Sequence, residues 1–150
     1  MNNKKISRYQ RIYQQIKELI SDCDDLQSKM ATVNAVLHHK MEGFFWTGFY
    51  MHKDGNLLVG PYQGPLACLK LTPGKGVCWA AVNSGKSIIV PDVHLFEGHI
   101  ACDSRSKSEI AIPVSDNSGK IIAVLDIDSN RLANFDESDR EELEKIVSLL

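Results

Sequence analysis

The sequence predicts an α+β protein, one antiparallel sheet of about six strands with helices packed on one of its faces. Two observations carry this expectation. Apolar residues recur with helical period at both ends of the chain, and the stretch between them holds short β-rich runs joined by tight polar turns. A length of 150 residues, 43% hydrophobic and 24% charged, suits one domain around one core, spanning 1–150. Its parts are helices in 1–40, the sheet and its loops in 44–130, and a last helix in 136–150.

Tyr9, Ile12, Tyr13, Ile16, Leu19 and Ile20 fall at helical spacing with charged residues between them, which predicts an amphipathic first helix ending near Asp22. Any of Asp22, Asp24 and Asp25 can cap a second helix, whose apolar face is Leu26, Met30, Val33 and Leu37 and which stops before Gly43. The aromatic run Phe44 to Met51 reads as a strand, and Lys53-Asp54-Gly55-Asn56 folds it back onto Leu57-Leu58-Val59. A third strand fits Leu66 to Leu71. Pro73-Gly74-Lys75-Gly76 then breaks the chain before a short helix from Val77 to about Asn83, closed by Ser84-Gly85. Ile88-Ile89-Val90 is a short strand. Asp92 to Lys107 has no clear period, and a loop of that length within one domain is usually functional. Two further strands, Ile110 to Val114 and Ile121 to Ile127, meet through the turn Asp116-Asn117-Ser118-Gly119. Asp136, with Asp139 three residues on, caps the last helix over Leu143, Ile146, Val147 and Leu150.

A net charge of -2 without a basic tract argues against nucleic acid and membrane surfaces as partners and favours a small ligand. No run of about 18 apolar residues is present, and the first residues lack a secretory pattern, so a cytoplasmic location is expected. In that reducing compartment Cys23, Cys68, Cys78 and Cys102 are not a disulfide framework, which leaves buried thiols, metal ligands or reactive thiols. None has the paired spacing of a structural zinc site, although His94, His99 and Cys102 supply three metal-competent side chains on one loop. Cys102 lies near His99, Arg105 and Lys107, and Cys78 near a helix start, both settings that favour a thiolate. Burial as a plain small side chain is the alternative for either.

In Val124-Leu125-Asp126-Ile127-Asp128, strand alternation puts both aspartates on one face, where Glu109 from the partner strand can join them. Clustered acids raise at least one pKa, so that one carboxyl can donate a proton while another holds an ammonium group; the alternative is a solvated sheet edge. Trp46 is either core or the wall of a ligand site. Gly74-Lys75-Gly76 lacks the spacing of a phosphate loop, and neither a Gly-x-Ser-x-Gly elbow nor a His-Glu-x-x-His helix is present.

Trp46-Thr47-Gly48-Phe49-Tyr50, Gly60-Pro61-Tyr62-Gln63-Gly64, Ala67-Cys68 and Gly74-Lys75-Gly76-Val77-Cys78 open an ordered set of motifs. Val90-Pro91-Asp92-Val93-His94, Gly98-His99-Ile100-Ala101-Cys102-Asp103, Ser108-Glu109-Ile110 and Leu125-Asp126-Ile127-Asp128-Ser129 complete it. Together they closely resemble the free methionine-R-sulfoxide reductases, single GAF-domain enzymes, over nearly the whole chain. The resemblance implies a GAF-like six-stranded antiparallel sheet and reduction of the free R epimer to methionine through a cysteine sulfenic acid and an intramolecular disulfide. It implies Cys102 as the attacking cysteine, Cys78 as the resolving one and Cys68 as accessory. Glu109, Asp126 and Asp128 resemble the acidic substrate-binding group and Trp46 the ring against the substrate methyl. No cofactor and no metal are implied; a thioredoxin-type reductant is, and family members are often homodimers. Two departures stand out: Trp79 follows Cys78 where the family usually has Gly, and Phe96-Glu97-Gly98 replaces a common Phe-Pro-Gly. GAF domains also serve as ligand-binding sensors, the rival reading, which needs neither Cys102 nor Cys78.

Overall fold

The computed structural model describes residues 2–99 and 102–150. Ile100 and Ala101 of the motif quoted above lie outside the described residues. Helix α1 (Asn3–Leu19) is capped by the Asn2 side chain, which accepts from the Lys5 N–H. Of the three candidate aspartates it is Asp25 that caps α2 (Leu26–Lys40), accepting from the Ser28 N–H. The chain then forms the hairpin β1 (Trp46–Lys53) and β2 (Asn56–Gln63), the short β3 (Lys70–Leu71), helix α3 (Val77–Ser84) and β4 (Ile88–Val90). A second hairpin, β5 (Ser108–Ser115) and β6 (Ile121–Ser129), precedes α4 (Glu137–Val147). Asp136 and Asp139 make the expected reciprocal capping box at the start of α4.

The six strands form one sheet in the order β3-β2-β1-β6-β5-β4, every pair antiparallel. On one face, Phe49, Ile110, Ile112, Leu125 and Ile127 pack against Tyr9, Ile12, Met30, Leu37, Leu143 and Ile146 of α1, α2 and α4. The expected single layer of helices therefore describes the three long ones. The short α3 lies on the opposite face, where Val77, Cys78, Trp79 and Ala81 pack with Trp46, Tyr50, Ala111 and Val124. Alternation along β5 and β6 sends successive side chains to these two layers.

Tyr9 and Lys5 of α1 reach Asp139 of α4, which is 1% exposed, at 2.6 and 2.7 Å, and this ties the outer helices together. The expected strand from Leu66 to Leu71 is shortened to its last two residues. Its upstream part leaves the ladder after the Val59 N–H to Leu69 C=O bond, because Cys68 is drawn over the sheet: Tyr50 Oη donates to its carbonyl at 3.0 Å and its side chain is bridged to Cys102.

Candidate active site

Register brings the predicted acids together. Glu109 of β5 pairs directly with Asp128 of β6, which on its other side pairs with Trp46 of β1. The three side chains thus form a row across three adjacent strands, with Asp126 two residues from Asp128 on the same face. Beyond Asp126 lies Gly48, whose bare backbone leaves room for the Trp46 ring: a Cβ there would sit 2.5 Å from Trp46 Cη2 and 2.4 Å from Tyr62 Cβ. The indole stacks between Tyr62 and Tyr50, with centroids 5.2 and 5.8 Å away.

A partly enclosed cavity of about 580 Å³, its open mouth included, lies over this row. Trp46, Tyr50, Cys78, Glu109, Asp126 and Asp128 line it from the sheet and α3, together with Ala67, Lys75, Gly76, His99, Cys102 and Ser106 from the loops. Glu109 and Asp126 are buried, at 6% and 5% exposure. Burial and then repulsion from Asp126 and Asp128 push the Glu109 carboxyl well above the usual carboxylate range. Burial and then Asp126 do the same to Asp128, and burial raises Asp126 against hydrogen bonds from Glu109 and Cys78. All three carboxyls are therefore harder to ionise than ordinary side-chain acids. Two buried polar atoms in the cavity wall, Asp126 Oδ1 and Trp46 Nε1, have no partner among the described residues. A ligand with both a donor and an acceptor would satisfy them.

Cys102, on the exposed loop, is joined to Cys68 by a disulfide with Cα atoms 5.4 Å apart, while Cys78 is a free, buried thiol. This differs from the expected pairing of Cys78 with Cys102. Cys78 is fixed in the first turn of α3 and faces the acids, whereas the irregular segment carrying Cys68 lies across the cavity rim. The expectation of a thiolate at Cys78 is also corrected. Burial first, then the negative charges of Asp126, Glu109 and Asp128, raise its pKa well above the ordinary value, outweighing the helix start.

The positive neighbours expected around Cys102 are largely engaged elsewhere. Arg105 makes two bonds to Asp103, at 3.0 and 2.7 Å, and lies over the Phe45 ring; its hydrogen bonds hold the Asp103 carboxyl down at about 2. His99 has a lowered pKa, through burial and then His94, and its Nδ1 is 3.9 Å from Glu109 Oε1. His94 instead pairs with Asp92 at 3.1 Å on the exposed side of the loop and does not line the cavity, so the three-ligand set of His94, His99 and Cys102 does not converge there. Trp79, the departure after Cys78, turns away from the cavity and meets the His52 ring edge-on. The sequence reading did not single out Tyr50 or Lys75. Tyr50 shares Trp46's face by strand period, a signal that was available, and Lys75 sits in the glycine stretch set aside as a failed phosphate loop.

A GAF domain model matches residues 30–150. Free methionine-R-sulfoxide reductase of Escherichia coli is 40% identical over 121 residues, 81% of this chain and 73% of that protein. GAF domain-containing protein A of Dictyostelium discoideum is 43% identical over 147 residues, covering 97% of this chain and 92% of its own length. The structure superposes with a TM-score of 0.93 on free methionine-R-sulfoxide reductase of Neisseria meningitidis in complex with its substrate, at 38% identity, covering 99% of this chain and 89% of that one. With the identity over most of both lengths and the fold agreeing, the chain belongs to the GAF-domain family and, within it, to the free methionine-R-sulfoxide reductases.

Proposed function

We propose that this protein reduces free methionine-R-sulfoxide to methionine, with the row of acids and Trp46 beneath the redox pair Cys102 and Cys68 as its site. The observation that carries the reading is that Cys102, bonded to Cys68, lines one cavity with buried carboxyls whose pKa values are raised. A sulfoxide sulfur is electrophilic, and its oxygen leaves only when protonated. In the reduced protein the Cys102 thiolate attacks that sulfur while the acid cluster protonates the oxygen. The oxygen ends on Cys102 as a sulfenic acid, and the substrate leaves as methionine, reduced by two electrons. A second thiol condenses with the sulfenic acid, forming a disulfide and releasing water. We assign that step to Cys68, which the Cys68–Cys102 bridge supports, and leave Cys78 among the acids as a wall of the site. An external dithiol of the thioredoxin type then restores both thiols by exchange.

Substrate selection follows from charge. The free α-ammonium group pairs with the ionised member of the acid cluster, Lys75 meets the α-carboxylate, and Trp46 packs on the S-methyl group. A residue inside a peptide has neither terminal charge. The test is incubation of the reduced protein with racemic free methionine sulfoxide, following methionine and the residual epimer by chiral chromatography, beside the N-acetylated, amidated substrate. Consumption of the R epimer alone, at least tenfold slower when blocked, is expected from about 1.5–3 kcal/mol per charged hydrogen bond. Equal turnover of the blocked substrate refutes the reading.

A further inference from the structure

The free thiol of Cys78 lines the cavity and is not consumed by the proposed redox cycle. Its Sγ and one carboxyl oxygen each of Glu109 and Asp126 lie within 4.8 Å of one another, all three residues buried. They come from α3, β5 and β6, so the trio is held by three separately packed elements. Asp126 Oδ1 is buried without a partner among the described residues, and the residue is 5% exposed. The imidazole of His99 stands beside these carboxyls, its Nδ1 3.9 Å from Glu109 Oε1, and its lowered pKa favours the neutral ring.

We propose that Cys78, Glu109 and Asp126 form a binding site for a thiophilic divalent cation of the zinc type, at the acid end of the cavity. One sulfur and two carboxylate oxygens match the ligand preference of zinc and its soft analogues; magnesium and calcium would require an all-oxygen shell of six or more. On a tetrahedral ion with Zn–S near 2.3 Å and Zn–O near 2.1 Å, ligand atoms stand about 3.3–3.6 Å apart, so the trio closes by roughly 1 Å. The fourth position opens on the cavity, which His99 and Asp128 also line. Binding displaces the Cys78 thiol proton and any proton shared by the carboxyls, leaving a thiolate and two carboxylates around the ion. The site is independent of the Cys68–Cys102 bridge and persists in both redox states. Resting on the proposed function, it also makes the ion an inhibitor, because the ion takes carboxylates assigned to the substrate ammonium.

The experiment titrates the full chain, metal-free and either oxidised or reduced, with zinc chloride by calorimetry and with cadmium chloride by ultraviolet thiolate-to-metal absorption. One ion per chain with a thiolate band is expected in both redox states and in Cys102→Ser. In Cys78→Ala the band vanishes, and in both that variant and Asp126→Asn the affinity falls at least tenfold, with circular dichroism reporting the fold. Asp126→Asn keeps side-chain shape and carries the test should Cys78→Ala not fold. No stoichiometric binding in wild type, undiminished affinity in folded Cys78→Ala or Asp126→Asn, or binding that disappears on oxidation or in Cys102→Ser overturns the site. The titration involves no turnover. A protein that binds the ion without reducing the sulfoxide therefore refutes the function alone, and one that reduces it without binding the ion refutes the metal site alone.

Discussion

Replacing Gly48 by alanine tests the link between the Trp46 ring and the chemistry. The added methyl carbon would stand 2.4 Å from Tyr62 Cβ and 2.5 Å from Trp46 Cη2, where ordinary carbon contacts need about 3.5–4.0 Å. Tyr62 and Trp46 stack on each other at 5.2 Å, so the strain is relieved by moving the indole about 1 Å toward the cavity or by parting the stack. Overpacking of this kind costs about 1–3 kcal/mol, which in a chain of this length lowers Tm by roughly 3–10 °C. A 1 Å displacement of a group that positions the reacting atom can also lower kcat/KM by about 10²-fold. Gly55→Ala is the control. At Gly55 nothing lies within 4 Å of the added carbon, but φ of +74° is left-handed, so alanine there costs about 1–2 kcal/mol through the backbone alone. Thermal melts, near-ultraviolet dichroism of the aromatic stack and steady-state kinetics on free methionine sulfoxide are measured for both variants. The expectation is lost stability in both and lost turnover in Gly48→Ala only. Wild-type kcat/KM in a destabilised Gly48→Ala protein would remove Trp46 from the substrate wall, and an unchanged Tm would refute the steric argument itself.

Glu109→Gln and Asp128→Asn each lower kcat/KM by ~10²-fold, since one removes charge or acid where the oxygen must be protonated. Their pH dependence has a definite sign. Both carboxyls titrate higher in the folded than in the unfolded protein, so their contribution to stability is full below about pH 4 and is lost as pH rises through the folded values. The Tm of each amide variant minus that of wild type should therefore grow with pH, and a difference that shrinks contradicts the assignment. Among the cysteines, Cys102→Ser makes no methionine, whereas Cys68→Ser makes about one per chain and then stalls with a thioredoxin-type reductant. Cys78→Ser continues to cycle, and its stalling in place of Cys68→Ser would move the resolving role back to Cys78. Asp139→Ala leaves the buried Tyr9 hydroxyl without its partner and Lys5 with Asp136 alone, costing about 1–3 kcal/mol in urea unfolding. Because Asp139 does not line the cavity, kcat/KM of the folded fraction stays at the wild-type value.

Where a structural feature depends on neighbours along the chain, it was legible in the sequence. The alternation of Val124 to Asp128 put Asp126 and Asp128 on one face and Leu125 and Ile127 on the other, as β6 has them. The pair Asp136 and Asp139 marked a helix start from three residues' separation. Features decided by distant segments were not legible. Helix α3 is apolar from Val77 to Val82 without a distinct polar stripe, so its residues carry no sign of which sheet face they meet. Cys68 and Cys102 are 34 residues apart, and local charge around Cys102 said nothing of a partner delivered by an irregular edge segment. The same holds for Cys78: a helix start predicts a thiolate, but the acids that reverse this arrive from β5 and β6.

The interleaving of acids with core residues along β6 has an evolutionary consequence. Every second position from Ala123 to Ile127 belongs to the apolar core, and those between belong to the opposite layer, which carries the cavity. Deleting or inserting one residue within that strand would exchange the two sets, sending Asp126 toward Phe49 and Ile112 and lifting Leu125 into the cavity. Such a change disrupts core and site together. Length variation is left to the turns at 54–55 and 116–119, whose loops can grow at small entropic cost. Substitution can tune the chemistry of this face, but changes of length are confined to the ends of the hairpins.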